Sequence, residues 1–111
     1  MAAYLVPERG PIQTLRSDLG LFDSQDPDAT DELICRLLGA DVFERVPRIN
    51  AYKGEAAQMY VDEMALIRDR HPNDRATSIR DQALRAAGVA VPIDVGIYGP
   101  ALILTGAERL D

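Results

Sequence analysis

Apolar and polar positions divide the chain into short strand-like runs and two runs with helical spacing. Tyr4-Leu5-Val6 is a brief apolar run ended by Pro7, which offers a ladder no backbone donor. Glu8-Arg9-Gly10-Pro11 has turn chemistry, and Ile12 to Leu15 returns as a second strand, so a hairpin is predicted. Leu33, Ile34, Leu37 and Leu38 share one face of a helix expected over 29–38, capped by Asp28 or Thr30 and stopped by Gly39. Val42 to Val46 alternates like a strand and ends before Pro47. Asn50 to Gln58, containing Lys53-Gly54-Glu55, reads as an exposed connection.

The densest set of positioned polar groups lies between Met59 and Leu84. Its first part predicts strand pieces over 58–61 and 64–68, joined by a turn at Asp62-Glu63, because acidic residues suit turns and resist strand interiors. Pro72 biases His71 toward extended geometry, and Asn73 or Asp74 then caps a helix, with the Thr77 hydroxyl supporting the same turn. In that helix Ala76, Ile79, Ala83 and Ala86 or Ala87 make a narrow face of small residues. Arg75, Arg80, Gln82 and Arg85 point elsewhere, and Asp81 with Arg85 is spaced for an ion pair. Gly88 stops the helix. Val89 to Val95 is extended but broken by Pro92, hence at an edge or outside the sheet, and Gly96 to Pro100 turns. Ala101 to Thr105 is apolar without interruption and is expected to be the most buried, central strand. Together these elements predict one α+β domain, an antiparallel or mixed sheet with two helices packed on it.

Length and composition narrow the picture. A chain of 111 residues is one domain and buries roughly two-thirds of its unfolded surface, enough for a core without staples. No apolar run approaches the ~20 residues that span a bilayer, and the first ten residues lack the features of a signal peptide. Cys35 is the lone cysteine, which excludes an internal disulfide and a cysteine-built zinc site and fits a reducing cytoplasm. The net charge of −6 opposes general binding to nucleic acid or anionic membrane. The charge is uneven. Acids crowd the stretch from Arg16 to Glu32, whose middle reads as an irregular loop pinned by Leu19, Leu21 and Phe22, while arginines dominate 68–85.

Candidate chemistry is sparse. The binding candidates are Arg68, Arg70, Arg75 and Arg80, with Asn73, Asp62 and Glu63 in the same stretch. Arg75 beside a helix N-terminus suits a phosphate or a partner's carboxylate, against the plainer reading of a solvated face with local ion pairs. His71, Asp69 and Asn73 are close in sequence, but Ser78, Thr77 and Cys35 lie in no elbow or triad pattern. Neither a P-loop nor a dinucleotide fingerprint occurs. His71 is the single histidine, and Asp62, Glu63 and Asp94 are too scattered for a metal site, so no catalytic residue, metal or cofactor is assigned.

Several short motifs carry a resemblance that spans nearly the whole chain. They are Leu5-Val6-Pro7-Glu8-Arg9-Gly10, Leu37-Leu38-Gly39-Ala40-Asp41-Val42-Phe43-Glu44, Tyr60-Val61-Asp62-Glu63, Asn73-x-x-Ala76-Thr77 and Gly99-Pro-Ala-Leu-Ile-Leu. In this order they resemble a family of short domains of unknown function found mostly in bacteriophages, plasmids and phage-rich bacterial genomes. The family pattern has Leu-Val-Gly-Gly where this chain has Leu37-Leu38-Gly39-Ala40. The resemblance implies a phage accessory protein and brings no activity or cofactor. The expectation is a small non-enzymatic interaction protein of phage or mobile-element type, binding an unidentified protein partner in the bacterial host cytoplasm. The alternative is a small enzyme that binds a nucleotide or phosphate ligand through residues 62–77. A homodimer is also expected, closed by an edge strand such as Val42–Val46 or by the acidic loop at Asp23–Glu32 meeting the arginines at 75–85.

Overall fold

A computed structural model of the chain describes residues 3–15, 27–92 and 95–106. The strands are β1 (Ala3–Val6), β2 (Gln13–Leu15), β3 (Phe43–Arg45), β4 (Ala51–Tyr52), β5 (Glu55–Asp62) and β6 (Ala101–Thr105), and the helices are α1 (Pro27–Leu38) and α2 (Asp74–Ala86). The strands form one antiparallel sheet in the order β2-β1-β6-β5-β3, with β4 pairing β5 beside β3. The fold is α+β, as the elements predict.

Every residue of β6 is buried because helices cover both faces of the sheet. Side chains alternate across a strand, so Ala101 and Ile103 enter one core and Leu102 and Leu104 the other. Ile34, Leu38, Tyr60, Ala3 and Ala40 fill the layer under α1. Val6, Val46, Met59, Val61, Ala76 and Leu84 belong to the layer under α2, joined by Ile97 from the segment after that helix. No helix among the described residues is long and apolar enough to cross a membrane.

Five expectations need correction. Residues 64–68 are not a strand but a tight helical turn, with Arg68 N–H donating to Met64 O at 3.0 Å. Asp62 starts that turn by accepting from Met64 N–H at 2.9 Å, and Asp69 closes it at φ 53°. Local side-chain capping thus overrides an apolar run that suited a strand. Asn50 to Gln58 is not a loose connection. It holds the β4–β5 hairpin, whose turn residues Lys53 and Gly54 have φ of 51° and 77°, the left-handed pair that a two-residue hairpin turn requires. Helix α1 begins at Pro27, which places Asp28 and Thr30 inside it rather than at its cap. The buried stripe of α2 is Ala76, Arg80 and Leu84, with Ile79 and Ala83 half-buried and Ala86 and Ala87 exposed. Asp81 pairs with Arg80 at 2.9 Å, where the sequence spacing favours Arg85. The loop anchors Leu19, Leu21 and Phe22 lie outside the described residues, as do most of the acids before α1.

Candidate functional site

Two adjacent features lie around the 62–77 stretch, a polar knot and an apolar cavity. The knot centres on Asn73, which is fully buried. As predicted it caps α2, its Oδ1 accepting from Ala76 N–H at 3.0 Å. Its amide group does more. Nδ2 donates to Val6 O at 3.0 Å and to Gly99 O at 2.9 Å, tying the end of β1 and the entry to β6 to the start of α2. Asn73 N–H donates to Ile97 O at 2.8 Å, and Gly99 N–H donates to His71 O at 2.9 Å, so residues 71–73 and 97–99 run side by side. The Thr77 hydroxyl donates to Asn73 O at 2.9 Å and accepts from Ile97 N–H at 2.8 Å.

Asp62 and Arg70 extend the knot toward α1. The Asp62 side chain is fully buried, and its Oδ2 lies 3.2 Å from Arg70 Nε and 3.7 Å from Arg68 Nη1. These are ionic contacts without hydrogen-bond alignment at Oδ2. Arg70 also donates to Gly39 O just past the C-terminus of α1, where a cation complements the helix dipole. Gly99 has φ 78°, a left-handed conformation that suits glycine, and it lies against the stem of Arg70, whose Cγ would be 3.4 Å from a Cβ there. Val6, Gly39, Asp62, Asn73 and Gly99 therefore meet through Asn73 and Arg70.

The candidate binding residues are dispersed by this arrangement. Arg70 and Arg68 face Asp62, Arg75 donates to Gly10 O in the β1–β2 turn, and Arg80 is buried against Asp81. Glu63 is exposed beside the cavity. His71 is exposed, and Ser78 is exposed on α2. Among the described residues no cluster of His, Cys, Asp or Glu could hold a metal ion.

Cys35 is half-buried on α1, with Sγ 3.6 Å from Asp41 O. Burial pushes its thiol pKa up, and the negative charges of Asp31, Asp41 and Asp62 push it further. Less thiolate is present at neutral pH as a result. Iodoacetamide is expected to alkylate Cys35 in the folded protein several-fold more slowly at pH 7.5 than in the urea-unfolded chain, as followed by mass spectrometry.

The cavity occupies about 730 Å³ between α2, the turn at 62–67 and residues 89–92 and 95–98. Val46, Val61, Ala65, Leu84 and Ile97 supply apolar wall. Leu66, Ile67 and Val95 border it while being 69%, 76% and 60% exposed. Sequence reasoning missed this feature. The available signal was the adjacent pair Leu66-Ile67 in a segment too short and too poorly alternating for a strand. Comparison with known proteins finds no matching family model, no matching curated protein and no matching solved structure.

Proposed function

We propose that the protein is a non-catalytic interaction protein, of the phage or mobile-element type its motifs resemble, acting on a protein partner in the host cytoplasm. The observation that supports this reading is the exposed apolar turn. Leu66, Ile67 and Val95 are exposed while lining the same cavity, and Met64 and Val42 are exposed too. Glu63 N–H donates to Val42 O at 3.1 Å, which joins Val42 to the same turn. Contiguous exposed apolar residues of this kind cost solubility and mark interaction sites. The partner that fits has an apolar patch with basic residues around it, because the net charge of −6 steers cationic surfaces toward this chain. Self-association by strand pairing is a weaker route. The end strands β2 and β3 have three residues each, and short edges blunt such pairing.

The test compares wild type with a Leu66→Asp/Ile67→Asp variant. Both positions are exposed, so the expected change in folding stability is within about 0.5 kcal/mol. Affinity capture from bacterial host lysate is expected to recover a stoichiometric protein with the wild type and to lose it with the variant. Equal recovery with both chains, or no partner with either, removes the proposal.

A further inference from the structure

We infer that the cavity is a binding site for a small amphipathic monocarboxylate, with the apolar body in the cavity and the carboxylate on Arg80. This goes beyond the docking reading and needs no partner protein. Arg80 lines the cavity from α2 and is only 6% exposed. Its sole ionic contact among the described residues is with Asp81, where a single oxygen, Oδ1, takes both Nε at 3.0 Å and Nη2 at 2.9 Å. The Nη2 contact is off hydrogen-bond geometry, leaving that nitrogen buried without a hydrogen-bond partner. A buried guanidinium is costly unless its donors are satisfied. A ligand carboxylate in the cavity, met by a short swing of the guanidinium, supplies the missing acceptor.

The cavity's size and lining define the rest of the ligand. A volume of about 730 Å³ walled by Val46, Val61, Leu84 and Ile97 matches an apolar body, in the range typical of small-molecule sites, roughly 300–1,000 Å³. Among the described residues the other charged groups at the cavity are Arg48, Glu44, Asp62 and Glu63. With their ion-pair partners included, Glu44, Asp62, Glu63 and Asp81 stand against Arg48, Arg68, Arg70 and Arg80. A balance this close to neutral accepts a monoanion and disfavours a phosphate dianion.

Decanoate, decanol and decyl phosphate serve as probes on the whole chain, with affinities from titration calorimetry. Decanoate is expected to bind at least about tenfold more tightly than decanol, the worth of one charge-assisted hydrogen bond. Arg80→Met keeps the apolar stem and removes the charge, and it is expected to erase the preference while decanol binding stays. Thermal unfolding of that variant checks that it is folded. If it is not, the Arg80 side-chain Nε–H signal in NMR of the wild type decides, since it shifts with decanoate and not with decanol. Decanol binding as tightly as decanoate, an acid preference that survives in folded Arg80→Met, decyl phosphate matching decanoate, or no binding by any probe would each overturn the inference.

Discussion

Replacing Asn73 with alanine is expected to destabilise the fold by about 4 kcal/mol, well beyond the ~1 kcal/mol of an ordinary helix cap. The substitution removes three side-chain hydrogen bonds at a fully buried position. It leaves Val6 O, Gly99 O and Ala76 N–H without their side-chain partner, and an orphaned buried group costs roughly 1–3 kcal/mol. Asp74 cannot compensate, because it is exposed on the first turn and brings no donor. Asn73→Asp separates the two roles. A carboxylate keeps the acceptor for Ala76 N–H but sets negative charge against the Val6 and Gly99 carbonyls. If capping were the whole contribution, Asn73→Asp would be nearly silent in urea unfolding. The expected result is a loss at least as large as with alanine, and a silent Asn73→Asp would refute the role of the amide donors.

That contrast marks how far the sequence could be read. The cap itself was legible, since Asn before a helical run and Thr77 four residues later are local signals. So was β6, whose uninterrupted apolar run is what burial on both faces demands. The bonds from Asn73 to Val6 and Gly99 join residues 67 and 26 positions apart, and no periodicity encodes where a side chain reaches across the fold. Arg80 was hidden for another reason. A charged residue on an amphipathic helix reads as solvent-facing, and only the cavity beside α2 shows why this one is enclosed. The β4–β5 hairpin was the avoidable miss, because Lys53-Gly54 between β-capable residues is the two-residue turn pattern. The short motifs around Val6, Gly39, Asp62, Asn73 and Gly99 contribute most of the residues of the Asn73–Arg70 knot, while the surface features at Leu66-Ile67 and most of the cavity lining lie outside those motifs.

Arg70→Met carries the second large effect, an expected loss of about 3 kcal/mol. Breaking a buried ion pair from one side costs roughly 3–5 kcal/mol, because the remaining charge is stranded. The low end applies here, since Arg70 is partly exposed and Arg68 still stands 3.7 Å from Asp62 Oδ2. Gly39 O also loses its donor, which unpins the end of α1 from the turn after β5. Asp62→Asn in the same background removes the stranded charge while its side-chain oxygen still accepts from Met64 N–H. The double variant is therefore expected to be less destabilised than the sum of the two single changes by about 1–2 kcal/mol, a coupling of the size that contacting charged residues show. Urea unfolding of the four chains in one buffer measures that coupling. Strict additivity would mean that Arg70 acts by packing its stem on Gly99 and bonding Gly39, with no contribution from its charge beside Asp62.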